Sequence, residues 1–292
     1  MEQLTFTKAL DLFMQSLDNR DCSNHTLTNY HHLLETFYVH LASEIFNGEV
    51  YVQDITMHHI EEHLLYRKNV LGNSAVTREN ALIAINSMFK FLLKHHYITY
   101  NPAEDVEHIK LPKKERVFLT ADEMKKLLDT IDNPHIFAAV STLCYTGLRI
   151  SELYKLLDEN VDFKKKEILV KCGKNKKDRV VPICSDLLKI LKDYRKNIRN
   201  PKSDYFFSTP RSGRLCGGYI NEKLHEATEK CGIQKNVTPH VLRHSAASLM
   251  VLNNAPISAV QRILGHADLK TTSRYLHVKN EDLHQATELL KF

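Results

Sequence analysis

Apolar side chains recur at helical spacing through the first hundred residues. Phe6, Leu10, Phe13, Met14 and Leu17 form one stripe. Leu27, Tyr30, Leu33, Leu34, Phe37, Tyr38 and Leu41 form a second. Thr56 is placed to cap a third, which runs through Ile60, Leu64 and Leu65. A fourth carries Leu82, Ile85, Met88, Phe89, Leu92 and Leu93 and stops near Asn101-Pro102. Each stripe must leave water, and four such helices joined by short polar turns do so as a small bundle. The stripes are read as core, with no cofactor role.

The period is lost after the bundle. Residues 103–117 mix charges with Pro112, which reads as an exposed linker. Thr120-Ala121-Asp122-Glu123 is then a capping box ahead of a helix from Met124 to Leu128. The expected plan is a helical domain over 1–104, a linker over 105–117 and a second domain over 118–292. The second domain is expected to be mostly helical with one hairpin. Glu167–Lys171 and Arg179–Ile183 are β-compatible runs, and the polar segment Cys172–Asp178 lies between them. A length of 292 residues suits two domains, and 43% apolar residues can fill both cores.

Charge divides along the same line. Residues 1–112 hold 8 Lys+Arg against 14 Asp+Glu, or −6; residues 113–292 hold 32 against 21, or +11, which together give the formal +5. A basic second half suits a polyanionic partner. The first half also carries 10 of the 17 histidines. If it meets DNA, it must do so by one local face. Cys22, Cys144, Cys172, Cys184, Cys216 and Cys231 include no C-x-x-C pair and are expected to be reduced thiols. No stretch has the length and apolarity of a membrane span, and the start is not a signal peptide, so a cytoplasmic protein is expected.

Four segments of the second half carry residues suited to phosphate chemistry. They are Thr146-Gly147-Leu148-Arg149-Ile150-Ser151-Glu152-Leu153, Lys174 in Gly173-Lys174-Asn175-Lys176-Lys177, Pro239-His240-Val241-Leu242-Arg243-His244, and Leu264-Gly265-His266 with Tyr275 nine residues after the histidine. Attack on a phosphodiester builds negative charge on the phosphoryl oxygens, which asks for fixed cations or donors. Arg149 and Arg243 suit this, because a guanidinium stays charged and can hold two oxygens at once. Glu152, three residues beyond Arg149, is placed to orient it or to pair with it. His240 can donate to the phosphate or accept a proton. His244, directly after Arg243, is read as structural.

Taken in order, T-G-L-R-x-S-E-L, H-x-x-R-H, L-G-H and the later tyrosine resemble the tyrosine recombinase, or phage integrase, family, in particular its Xer-like members. The resemblance covers residues 118–277. The N-terminal bundle is similar to the family's core-binding (SAM-like) domain in size and helix content. The implied fold is mainly α: a four-helix core-binding bundle plus a mixed α/β catalytic domain with a small antiparallel sheet. The implied catalytic set is Arg149, Lys174, His240, Arg243, His266 and Tyr275. Tyr275 is the implied nucleophile, His266 a phosphate contact, and Lys174 the acid that protonates the leaving 5′ oxygen. Lys171, Lys176 and Lys177 lie close enough to leave the register of that lysine open.

The implied reaction cuts and rejoins duplex DNA through a 3′-phosphotyrosyl link, without ATP and with no cofactor or metal. The His59/His63 and His240/His244 pairs have an i, i+4 spacing that metal sites use, but neither carries the H-E-x-x-H glutamate. The implied partner is duplex DNA bearing an inverted-repeat site, bound by a homotetramer or by a heterotetramer with a second recombinase. Leu283, Ala286, Leu289 and Leu290 mark an amphipathic helix near 281–292, for which the resemblance implies docking on a neighbouring protomer. The bundle opens within the first residues, so no arm-binding domain is expected ahead of it. Mobile-element integration or resolution and chromosome-dimer resolution are the roles implied. A type IB-like topoisomerase, a non-catalytic DNA-binding protein and a metal-dependent nuclease are the other readings.

Overall fold

The computed structural model describes residues 3–112, 117–171, 178–211 and 213–265. The chain divides into two compact units, Met1–Lys114 and Glu115–Phe292.

The first unit is helical. Its helices are α1 (Phe6–Asp18), α2 (Asn24–His40), α3 (Met57–Asn69) and α4 (Ala75–Lys94). Each begins at a hydroxyl residue, and in α1, α2 and α4 that hydroxyl satisfies an otherwise orphaned N–H. Thr5, Ser23 and Ser74 accept from the backbone of Lys8, Thr26 and Thr77. At Thr56 the backbone N–H donates to His59 Nδ1 at 3.2 Å. Such caps are worth about 1 kcal/mol each. α2 runs on through a π turn, Leu41–Ile45. The apolar stripes meet in one core that includes Phe6, Phe13, Leu34, Phe37, Ile60, Ile85 and Phe89.

The stretch after α4 is less exposed than its composition suggests. Ala103 and Val106 are buried in the bundle core. Glu79 of α4 accepts from the Ile109 N–H at 2.9 Å and meets His108 Nδ1 at 2.7 Å. A single partly buried carboxylate thus ties residues 103–109 back onto the bundle, which no local period could reveal.

In the second unit the described elements are α5 (Ala121–Asp129), α6 (Pro134–Thr146), α7 (Ile150–Tyr154), β1 (Val161–Asp162), β2 (Glu167–Val170), β3 (Arg179–Pro182), α8 (Ser185–Asp193), α9 (Gly217–Lys230), α10 (Pro239–Leu252) and α11 (Ile257–Leu264). The capping box is formed, with Thr120 and Glu123 exchanging bonds. The sheet is antiparallel in the order β1-β2-β3, with Ile168 opposite both Val161 and Val181. β1 extends the expected hairpin, and its two residues are too short to show alternation. The central element is α6, where Ile136, Ala138–Cys144 and Thr146 are buried. Its small residues let other elements approach closely, and α10 packs along it. Cys22, Cys144, Cys184, Cys216 and Cys231 are free thiols; Cys172 lies outside the described residues. Among the described residues no helix is long and apolar enough to cross a membrane.

His63 is fully buried on α3, with its ring 4.9 Å from Phe37 and 5.2 Å from His40. Both ring nitrogens lack a hydrogen-bond partner among the described residues. Burial, then the charges of Arg67 and His40, push its pKa down to about 3. The unfolded imidazole takes a proton near its ordinary 6.5 while the folded one does not, so acid favours the unfolded chain. This group therefore removes stability progressively as pH falls from about 6.5 towards 3, on the order of 3 kcal/mol by pH 4. His63→Leu should flatten that part of the pH–stability curve in denaturant titrations of the full chain. An unchanged slope would show that His63 is not the group responsible.

Candidate catalytic site

The site is assembled where α6, α10 and α11 end or begin. α6 stops at Gly147, whose φ of +63° is left-handed and whose N–H donates to Leu143 O at 2.9 Å. A Cβ on Gly147 would lie 2.7 Å from Leu264 Cδ2. Only glycine therefore permits both the turn and the close approach of α11. Two residues on, Arg149 caps α7 with its side chain 39% exposed.

Arg243 sits on α10 and is 4% exposed. Its Nη1 donates to Gly147 O and its Nη2 to Leu264 O, each at 2.6 Å. One guanidinium thus ties the end of α6 to the end of α11. His240 lies one turn earlier, at the exposed start of α10, where Thr238 is the cap and Pro239 opens the first turn. His240 and Arg243 are three apart on one helix, and His244 Nδ1 meets Ser248 Oγ at 3.3 Å. The loop before α5 is held to the same helix, with the Leu119 N–H donating to Ser245 Oγ at 2.7 Å.

Glu152 is the second organising group. Its Oε2 accepts from the Arg149 backbone N–H at 2.8 Å, and its Oε1 accepts from Arg149 Nη1 at 2.8 Å. The same carboxylate receives a fork from Arg179, with Nη1 to Oε1 at 2.9 Å and Nη2 to Oε2 at 2.7 Å. Burial pushes the carboxyl up, but hydrogen bonds from Arg179 and then from Arg149 outweigh it and hold Glu152 at about 2. The carboxylate stays charged at any working pH, and two guanidiniums share it. A cleft of about 230 Å³ opens beside this group, lined by Arg149, Glu152, Lys155, Asn160 and Lys171 among others. Lys171 pairs with Glu159 at 3.2 Å.

Arg149, His240 and Arg243 belong to segments that the Gly147 turn and α10 bring together. Lys174, His266 and Tyr275 lie outside the described residues. Gly265, the last described residue, closes α11 with φ +66° directly before His266 in the chain. Arg179 was not among the expected site residues. The signal for it was phase: β3 points Val180 outward and buries Val181, so Arg179 shares the core-facing side. A charged residue there needs a partner. His59 caps α3 while His63 is buried, so they do not share one open face. Among the described residues no group of three or more His, Cys, Asp or Glu converges.

A family model described as "Phage integrase family" matches residues 117–282, and one described as "Phage integrase, N-terminal SAM-like domain" matches residues 10–96. A tyrosine recombinase of Thermosipho africanus is 32% identical over 291 residues, covering 97% of this chain and 99% of that protein. Tyrosine recombinase XerA of Pyrococcus horikoshii is 38% identical over 192 residues, covering 65% of this chain and 66% of that protein. Among solved structures, the Tn1549 transposon integrase in complex with transposon right end DNA superposes with a TM-score of 0.80 at 19% identity, covering 97% of this chain and 99% of that one.

Gly147→Ala should cost about 2 kcal/mol, because it adds both left-handed strain and a contact with Leu264. A loss of about 5 °C in the melting temperature of the second unit is expected in calorimetry. An unaltered melting temperature would mean that the turn does not depend on glycine.

Proposed function

The chain belongs to the phage integrase family, and from that premise we propose that it is a site-specific tyrosine recombinase acting on duplex DNA. The observation that best supports this reading is the Arg243 bridge. It joins the T-G-L-R turn to the end of α11, which supports a reading in which residues distant in sequence act on one phosphate.

In the proposed reaction Arg149 and Arg243 face the non-bridging oxygens of the scissile phosphate. The phenolic oxygen of Tyr275 attacks phosphorus and gives up its proton, for which His240 is the candidate acceptor. The P–O5′ bond breaks, and Lys174 supplies the proton that leaves with the 5′ hydroxyl. His266 donates to the phosphate. The enzyme then carries a 3′-phosphotyrosyl ester. Attack by the 5′ hydroxyl of a partner strand forms the new P–O bond and releases Tyr275. One ester replaces another at each step, so the sequence needs no ATP.

Four protomers, alone or with a second recombinase, act on paired inverted-repeat sites in this reading. Both domains contact the duplex in this reading, and the enzyme works in the cytoplasm. The 281–292 segment docks on a neighbouring protomer in this reading.

Tyr275→Phe should still bind DNA yet form no covalent adduct on nicked suicide duplexes; adducts from this variant would overturn the nucleophile assignment. Arg149→Ala should slow single-turnover cleavage by about 10²- to 10³-fold with binding retained. Arg243 also holds two turns, so Arg243→Lys is the cleaner variant, with slower cleavage and a lowered melting temperature expected together. Binding of the wild type should weaken steeply between low and moderate salt, since several phosphates are neutralised. A flat response would contradict binding through the DNA backbone.

A further inference from the structure

We infer that Arg179 is a positioning residue for strand cleavage, one that sets the guanidinium of Arg149 and the end of α11 from a single buried site. The inference rests on the recombinase reading of the same site. Arg179 opens β3, at the base of the hairpin turn, and its side chain is only 9% exposed. All three of its nitrogens have work there. Nη1 and Nη2 fork onto Glu152, and Nε donates to Ile263 O at 2.8 Å. The side chain also packs over Gly265, where a Cβ would lie 2.9 Å from Arg179 Cδ. Arg179 therefore fixes strand β3, helix α7 and the end of α11 to one another.

The electrostatic consequence follows from charge balance. Glu152 carries one negative charge, and Arg149 and Arg179 carry one positive charge each. With Arg179 in place, its bidentate fork takes the larger share of the carboxylate, and the Arg149 guanidinium spends only one N–H on it. The pair of guanidiniums leaves a net cation on the Arg149 side, which is 39% exposed beside the cleft. Without Arg179 the carboxylate would answer to Arg149 alone and would neutralise it. An incoming phosphate would then compete with Glu152 for the same guanidinium. The effect falls on the rate of the chemical step rather than on DNA affinity, because Arg179 faces inward and its partners are protein groups. The fork geometry matters as well as the charge, so lysine is an incomplete replacement.

The test uses the full chain. Wild type is offered a pool of nicked suicide duplexes of random sequence, and the duplex it captures covalently serves as substrate. Arg179→Met should lower the single-turnover cleavage rate about 10- to 100-fold, while the Kd for that duplex stays within about threefold. Arg179→Lys should recover part of the rate. Arg149→Ala combined with Arg179→Met should lose clearly less than the product of the two single losses, because part of the effect of Arg179 acts through Arg149. Wild-type cleavage by both Arg179 variants, or losses that multiply in the double variant, would overturn the inference. If Arg179→Met does not fold, Arg179→Lys carries the same comparisons. A second readout is independent of DNA. The Glu152 carboxyl, followed by NMR titration, should move up from about 2 towards the ordinary carboxylate range in the variant. Failure of the wild type to capture any duplex would count against the recombinase reading. An unmoved Glu152 titration would count against the role of Arg179 whatever the DNA result.

Discussion

A buried guanidinium donating to two backbone carbonyls holds the second unit's site in order. Arg243 has little access to water, so its charge must be met by protein groups. Gly147 O and Leu264 O meet it. Both carbonyls lie at helix ends, where the last turn leaves acceptors without intrahelical partners and the dipole favours a cation. The geometry works only because Gly147 takes a left-handed turn and leaves room for Leu264. A helix end, a glycine and an arginine thus depend on one another, and the motifs that carry them are far apart in the chain.

Glu152 does for Arg149 what the two carbonyls do for Arg243. A carboxylate between two guanidiniums is a compact way to place positive charge without leaving it to collapse onto the nearest acid. The charge left over is what a phosphodiester would meet. This division of labour explains why one arginine of the pair is partly exposed and the other nearly buried.

Much of this was readable before any coordinates. The stripes of α1 to α4 follow the helical period, and the cap at Thr56 and the capping box at Thr120 and Glu123 leave a local signature. The T-G-L-R-x-S-E-L and H-x-x-R-H segments were visible as an ordered set. What was hidden is what depends on distance in the chain. Arg179 pairs with Glu152 across 27 positions, and Glu79 reaches Ile109 across 30. Val161–Asp162 forms a strand by pairing with β2, not by its own pattern. His63 sits in a stripe whose period says helix but cannot say that an imidazole is sealed inside it.

The central claim is that the cationic centre around Arg149 and Arg243 serves a tyrosine that bonds to DNA. The most direct measurement is to digest the covalent protein–DNA adduct with trypsin and nuclease and to locate the added mass by tandem mass spectrometry. Cleavage after Arg274 and Lys279 isolates the peptide Tyr275–Lys279. The account predicts a nucleotide joined through phosphate to the tyrosine of that peptide. A nucleotide on any other peptide, or no adduct with any duplex offered, would contradict it.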